Sequence, residues 1–230
     1  MSHDIRTPMN AIIGMAVIAQ ANLQSPEKIQ DCLNKINVSS RHLLNLINEV
    51  LDMSRIESGK IDLISENVSL PELIEDVMDV FRPLAAEKHL ELQINADHVR
   101  HEKVVTDQNR LRQVLVNLLS NAVKYTPDGG CVGLWIREVP SFAKGRGQYE
   151  FIVTDNGIGM SEEFLPHVFE PFARAKDPTI NQVQGTGLGM AITQNIVRMM
   201  NGTIEVRSNP GQGSRFIVAV SFELCEEAED

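Results

Sequence analysis

The chain has 230 residues, 43% of them hydrophobic, so it is long enough for one large or two small domains with packed cores. Its formal net charge of −10 argues against nucleic acid or an anionic membrane as the main partner, because both require a basic face. Its three cysteines, Cys32, Cys131 and Cys225, lack disulfide or zinc spacing and fit reduced thiols in the cytoplasm.

The longest nearly apolar run, residues 11–19, is shorter than the ~20 residues of a membrane-spanning helix. No charged and then apolar leader precedes it. We therefore expect a soluble, cytoplasmic fragment that makes no membrane contact, and a membrane-anchored parent protein remains open.

Two amphipathic helices are predicted at the N-terminus. Residues 1–22 carry one apolar stripe, with a kink expected at Pro8, and a second helix is expected from Pro26 to about Glu57, with Gly59 as its stop. Because a lone hairpin cannot bury both stripes, we infer a homodimer in which two hairpins form a four-helix bundle. The second stripe resembles a coiled-coil seam: Ile29, Leu33, Ile36, Leu43, Ile47, Val50, Leu51 and Ile56.

From residue 61 onward, short β-rich runs alternate with helical patterns, which predicts an α+β sandwich with a mixed sheet and helices on one face. Helices are expected over residues 71–88, 107–125 and 188–200, with Pro83 weakening the last turn of the first. Strands are expected over residues 90–94, 132–136, 149–154, 203–207 and 215–222, and an irregular loop over residues 140–147. The predicted domains are residues 1–60 and 61–225, followed by an acidic tail, residues 226–230.

The helix over residues 107–125 has a second, polar face. Asn117, Asn121 and Lys124 recur at i, i+4 and i+7, so two amide oxygens and one ammonium project together. Such groups suit magnesium and phosphate. On this helix alone, an ordinary solvated face is the better explanation of the pattern, and the glycine clusters downstream have to decide between the two.

Two glycine clusters follow. Asp155 lies at the end of a predicted strand and can accept a hydrogen bond from an exocyclic amine such as that of adenine. Gly157 and Gly159 let the backbone approach a flat ligand. The same residues also form ordinary turns, so this motif alone is a weak signal. The second cluster opens a helix, where flexible amides can hold a polyphosphate. It consists of Gly185, Thr186, Gly187, Leu188 and Gly189.

Residues 173–184 lie between the two clusters and lack periodicity. We interpret them as a mobile lid over bound phosphates, with Arg174 as a candidate phosphate contact. An ordinary long surface loop is the alternative.

Five segments occur in one order along the chain: residues 3–8 (HDIRTP), 117–126 (NLLSNAVKYT), 155–159 (DNGIG), 169–172 (FEPF) and 185–189 (GTGLG). In sequence and order they resemble the motifs of sensor histidine kinases. The resemblance covers essentially the whole chain, and five ordered motifs are far more specific than any single glycine cluster.

This resemblance implies roles for the N-terminal motif. His3 resembles the phosphoacceptor and Asp4 the acidic neighbour that orients and deprotonates it, although many members carry Glu there. A carboxylate on one imidazole nitrogen raises the basicity of the other. Thr7 resembles the residue that positions water to dephosphorylate a partner receiver domain, so phosphatase activity is a second expectation.

The resemblance also implies ATP and Mg²⁺ as cofactors and a response regulator as partner. Asn121 then corresponds to the main magnesium ligand with Asn117 nearby, Lys124 and Tyr125 contact phosphate or ribose, and Asp155 recognises adenine. Phe169 and Phe172 resemble the hydrophobic anchor of the lid, although an ordinary core role fits them equally well.

Two alternatives stay open. One is another ATPase with the same nucleotide fold, as in ATP-driven chaperones, type II topoisomerases and mismatch-repair proteins, and the pair His3 and Asp4 in a helical hairpin argues against it. The other is an inactive nucleotide-binding or dimerising scaffold. Four residues argue against that: His3, Asn121, Lys124 and Asp155.

Overall fold

An N-terminal helical hairpin consists of α1 (Ser2–Ala21) and α2 (Pro26–Glu57), joined by a turn at residues 22–25. The computed structural model describes residues 2–58, 62–141, 143–174 and 185–225, without the side chains of residues 2–4 and 57. α1 is helical on both sides of Pro8, and Pro26 occupies the first turn of α2, where its missing N–H costs nothing. Both predicted helices are confirmed, whereas the predicted stop at Gly59 lies outside the described residues.

A seven-stranded mixed sheet follows. Its elements in chain order are β1 (Glu66–Ser69), α3 (Leu70–Glu87), β2 (Glu91–His98), β3 (Lys103–Thr106), α4 (Gln108–Tyr125), β4 (Cys131–Val139), β5 (Arg146–Asp155), a one-turn 3₁₀ helix (Leu165–His167), α5 (Gly189–Met199), β6 (Thr203–Asn209) and β7 (Gly213–Leu224). The strand order is β1-β3-β7-β5-β4-β2, with β6 also paired to β7. Only β2 and β4 are parallel among the described pairs, so the predicted mixed sheet is confirmed.

The core lies between the sheet and the three helices α3, α4 and α5. On β7 alternate side chains are buried, because successive residues of a strand point to opposite faces and only one face is covered. On α4 the apolar stripe predicted from the sequence is buried against the sheet: Leu111, Val114, Leu115, Leu118, Leu119, Ala122 and Val123. The polar face of α4 therefore has a fixed orientation with respect to the sheet.

Some predicted bounds were wrong. The sequence analysis missed the four-residue strands β1 and β3, and β2 runs on to His98. The predicted loop ends earlier, since β5 already begins at Arg146. The helix predicted over residues 71–88 is confirmed as α3, which contains Pro83 and continues to Glu87. The acidic tail, residues 226–230, lies outside the described residues.

The hairpin packs against the α+β part through the second half of α2. Val50, Met53 and Ile56 contact the main core. Asp52 Oδ2 accepts hydrogen bonds from Gln113 Nε2 at 3.0 Å and Arg110 Nη1 at 3.4 Å, both on α4. One face of α2 is therefore held beside α4.

Candidate active site

A cavity of about 370 Å³ lies where α2, α4, the end of β5 and the glycine cluster before α5 meet, a size typical of small-molecule sites. Most of the predicted site residues line it. They are Asn117, Asn121, Lys124, Tyr125, Asp155, Gly159, Arg174, Gly185, Thr186, Gly187 and Gly189. The structure thus brings together residues that are up to 72 positions apart, from Asn117 to Gly189.

The C-terminal end of α4, which carries Lys124 and Tyr125, is fixed by hydrogen bonds to every one of its last four carbonyl groups. Thr126 donates its N–H and its hydroxyl to Ala122 O, and Ile158 N donates to Tyr125 O. Lys88 Nζ donates to Val123 O at 2.8 Å and Lys124 O at 3.3 Å, and also to Thr126 O at 2.6 Å. An ammonium at a helix C-terminus also complements the helix dipole, so this end is rigid.

The ammonium group of Lys124 lies where α4 meets the glycine cluster. A Cβ atom added at Gly185 would lie 2.6 Å from Nζ, so the backbone there passes directly beside the charge. Burial, together with the charge of Arg174, lowers the pKa of Lys124 to about 8, whereas the charge of Glu49 opposes the decrease. Nζ also lies 4.9 Å from the ring centroid of Tyr125. A bound anion would stabilise the charged form of this lysine.

Asn117 has a packing role as well as a place on the cavity wall. Its Nδ2 donates to Gly189 O and to Thr193 Oγ1, both at 3.1 Å, and so joins α4 to the start of α5. With both N–H groups used, its amide oxygen is the atom that remains for a ligand. Magnesium accepts such hard oxygen ligands together with phosphates, so Asn117 and Asn121 fit this metal. Within the described ranges, no three His, Cys, Asp or Glu side chains form a metal cluster.

Asp155 ends β5, half-buried on the cavity wall. Burial raises the pKa of its carboxyl group, while hydrogen bonds from the backbone N–H groups of Gly157, at 2.9 Å to Oδ1, and Ser214 lower it. These two donors hold the carboxylate in one orientation. It can therefore accept a hydrogen bond from a ligand amine at a fixed position.

The glycines after Asp155 lie close to backbone carbonyl groups. A Cβ at Gly157 would overlap the Tyr125 carbonyl, and one at Gly159, where φ is +66°, would overlap the Asn209 carbonyl. Gly157 is buried against the end of α4, whereas Gly159 lines the cavity. For both glycines, nucleotide contact stays a prediction.

The second glycine cluster is attached to the segment before the predicted lid. Phe172 N donates to Gly187 O at 2.9 Å, and both residues have positive φ, 64° and 74°. Thr186 Oγ1 accepts from Leu188 N at 3.2 Å, which leaves its own hydroxyl proton for another acceptor. The side chain of Leu188 is buried and anchors the cluster to the core, and a nucleotide contact by its backbone stays a prediction.

The predicted lid and its anchor are only partly described. Phe169 packs against the core, whereas Phe172 is 44% exposed. Arg174 lies at the cavity, near enough for its charge to act on Lys124 and Tyr125. Residues 175–184, the rest of the predicted lid, lie outside the described residues.

His3, Asp4 and Thr7 lie in α1. The side chains of His3 and Asp4 are outside the described part, and that of Thr7 is exposed. Counting from the turn at residues 22–25, two antiparallel helices of equal rise place His3 level with about position 44 of α2. That level is also where α2 meets the cavity.

Sequence reasoning missed three cavity residues of α2: His42, Asn45 and Glu49. It also missed Lys88, which fixes the end of α4. The signal in α2 was limited to its apolar seam. No motif marks which of its polar residues face α4, because that depends on how the hairpin docks.

No helix in the described part of the chain has the length and apolarity needed to cross a membrane. Residues 1–59 match the family described as His Kinase A (phospho-acceptor) domain. Residues 106–224 match the family described as histidine kinase-, DNA gyrase B-, and HSP90-like ATPase.

Similar proteins agree with both matches. The autoinducer 2 sensor kinase/phosphatase LuxQ of Vibrio parahaemolyticus is 36% identical over 96% of this chain and 25% of its own length. The sensor histidine kinase GacS of Pseudomonas protegens is 36% identical over 100% of this chain and 25% of its own length. The chain thus spans about a quarter of these relatives.

Among solved structures, full-length ShkA in complex with AMPPNP superimposes with a TM-score of 0.73 and 30% identity, over 97% of this chain and 45% of that one. Three findings agree with one another. The two family matches follow in the order phospho-acceptor domain and ATPase domain, the relatives match along the full chain, and the kinase motifs form a cavity. The chain therefore belongs to the sensor histidine kinases.

Proposed function

We propose that this chain is an ATP-dependent protein-histidine kinase that autophosphorylates on His3 and transfers the phosphoryl group to an aspartate of a response regulator. The observation that carries the proposal is the cavity, which unites Lys124, the glycine cluster and Asp155 and is closed on one side by α2 of the hairpin that bears His3. A nucleotide there would lie beside the helices that present the phosphoacceptor.

Each end of the cavity suits one part of ATP. The oriented carboxylate of Asp155 accepts from the adenine amine, while Lys124, Arg174, Thr186 and the amides before α5 bind the phosphates. Asn121, with the amide oxygen of Asn117, holds Mg²⁺, which supplies positive charge to the phosphates. Catalysis then depends on positioning and charge neutralisation.

In the transfer step, the unprotonated imidazole nitrogen of His3 attacks the γ-phosphorus and the bond to the ADP oxygen breaks. Asp4 orients the ring and accepts the proton from its other nitrogen. The phosphohistidine then passes its phosphoryl group to the receiver aspartate.

The hairpin supports a homodimer, which we place in the cytoplasm as part of the proposal. Large apolar side chains remain exposed along both helices, and a second copy would bury them in a four-helix bundle. They include Met9, Ile13, Val17, Ile18, Leu33, Val38, Leu44, Ile47 and Leu51. The proposed boundaries are residues 1–60 for this dimerisation and phosphoacceptor domain, 61–225 for the ATP-binding domain and 226–230 for the tail.

Incubation with γ-labelled ATP and magnesium tests the proposal. We expect label in an acid-labile, alkali-stable form, which His3→Gln abolishes while nucleotide binding is retained; unchanged labelling of that variant would refute the role of His3. Asn121→Ala is expected to lose magnesium-dependent nucleotide binding. Nucleotide hydrolysis without labelling would instead indicate a different ATPase, and nucleotide binding with neither reaction an inactive scaffold.

A phosphatase reaction is a second candidate, favoured by the similarity to LuxQ, a sensor kinase/phosphatase. Thr7 is one helical turn from His3, on the same side of α1. We expect Thr7→Ala to retain labelling of His3 but to dephosphorylate a phosphorylated receiver domain more slowly. Equal dephosphorylation by both chains would remove Thr7 from this role.

A further inference from the structure

Glu49 of α2 reaches into the cavity from the helical hairpin. Across the described parts of the chain, its Oε2 is the buried side-chain oxygen that lacks a hydrogen-bond partner. A buried carboxylate oxygen without a partner is costly. Its position therefore calls for an explanation that the packing of α2 alone does not supply.

The neighbours of Glu49 belong to the phosphate end of the cavity. Burial raises the pKa of the Glu49 carboxyl group above the ordinary value, and the charge of Asp52 acts in the same direction. A hydrogen bond from the Thr186 side chain and the charges of His42 and Lys124 oppose this increase. Glu49 in turn raises the pKa of Lys124. The carboxyl group thus lies on the same cavity wall as Thr186, which donates to it, and within electrostatic range of the buried ammonium of Lys124.

A hydroxyl and an ammonium are also the groups that bind a phosphate oxygen. A carboxylate and a phosphate cannot both use them at low cost, because two anions would then share one partly buried site. We propose, on the basis of the proposed function, that the helical hairpin supplies Glu49 to the nucleotide site. The carboxylate of Glu49 occupies the phosphate-binding groups Thr186 and Lys124 until a nucleotide displaces it.

This exchange couples the nucleotide to the hairpin. One turn beyond Glu49, Asp52 accepts hydrogen bonds from α4, and Met53 Sδ accepts from Asn195 Nδ2 of α5 at 3.7 Å. These contacts keep Glu49 at the cavity. By reciprocity, a movement of α2 that withdraws Glu49 strengthens nucleotide binding, and a bound nucleotide weakens the docking of α2.

The test measures dissociation constants of the whole chain for ATP, ADP and adenosine by calorimetry, both with and without magnesium. Glu49→Gln keeps the size of the side chain and removes its negative charge. Because this charge repels the phosphates, we expect the variant to bind ATP and ADP roughly tenfold more tightly. Adenosine, which carries no phosphate, is expected to bind equally to both chains. Glu27→Gln, an exposed change in the first turn of the same helix, is the matched control and is expected to change nothing.

Unchanged or weaker binding of ATP by Glu49→Gln would overturn the inference, and weaker binding that appears only with magnesium would identify Glu49 as a metal ligand instead. Tighter binding of adenosine to the same extent would also overturn it, because the effect would not concern phosphate. Glu49→Ala must act in the same direction, with circular dichroism showing that its helix content is retained. If the unaltered chain binds no nucleotide, the proposed function itself fails and the inference fails with it.

Discussion

Replacement of Lys88 by Ala tests whether the end of α4 is held from outside the helix. Lys88 is the C-cap residue of α3, and its ammonium donates to three carbonyl groups at the end of α4. Two of these, Val123 O and Lys124 O, are among the last four carbonyls of α4, which lack partners within the helix. The variant removes the donor and leaves the three acceptors partly buried.

The expected loss is about 2 kcal/mol in the free energy of unfolding. Hydrogen bonds from a charged donor contribute about 1.5–3 kcal/mol each when fully buried, but Lys88 is half-exposed and water can replace part of its contribution. For a chain of this size, 2 kcal/mol corresponds to a decrease in Tm of roughly 4–8 °C. Because Lys124 and Tyr125 lie at the same end, ATP binding should weaken several-fold.

Thermal unfolding followed by circular dichroism gives the change in Tm, and calorimetry gives the affinity. Lys35→Ala is the matched control, since Lys35 pairs with Asp31 on the solvent-exposed surface of α2. A lost cap should lower Tm by at least about 4 °C. If the Tm of Lys88→Ala instead lies within about 1 °C of the Tm of the control, the three hydrogen bonds do not stabilise α4 and the reasoning is wrong.

Three further predictions concern the cavity and the ends of α4. Burial holds the pKa of Lys124 at about 8, so the ammonium is present below pH 8 and lost above it. The affinity for ATP should therefore fall as the pH is raised from about 7 to 9, and Lys124→Arg, whose side chain stays charged, should remove this decrease in affinity. Gly159→Ala should lower the free energy of unfolding, measured with denaturant, by about 3 kcal/mol or more because the added Cβ overlaps a carbonyl. Gly129→Ala is the control: it has a similar φ but open space, and should lower the free energy of unfolding by about 1 kcal/mol. Asp107→Ala removes the N-cap bond to Arg110 N and the bond to Ile64 N, and should cost about 2 kcal/mol in the same assay.

The elements that sequence reasoning predicted well are those whose own periodicity determines them. The stripe of α4 recurs from Leu111 to Val123 and is buried as predicted, and Pro26 marks the start of α2. By contrast, β1 and β3 have four residues each and pair with one another, so neither contains enough positions to show alternation. Their existence depends on pairing with partners elsewhere in the chain.

At the site, the residue types were predictable and several of their tasks were not. The amide and ammonium face of α4 lines the cavity as expected, yet Asn117 also ties α4 to α5, and Gly157 also makes room for the carbonyl of Tyr125. A glycine in a motif shows that a Cβ is excluded, but the atom that excludes it appears only when the chain is folded.

Lys88 and Glu49 show what a linear motif omits. Both are single charged residues on helices whose apolar faces dominate their patterns, and both act on α4 from a different element. One fixes the backbone that carries Lys124, and the other competes, in our proposal, for the ammonium at the tip of that residue. The kinase motifs therefore specify which groups can bind a nucleotide, whereas the strength of binding depends on charges contributed by α2 and α3. Because α2 belongs to the hairpin that bears His3, a signal that moves the hairpin would reach the phosphate end of the cavity through Glu49 without any change in the motifs themselves.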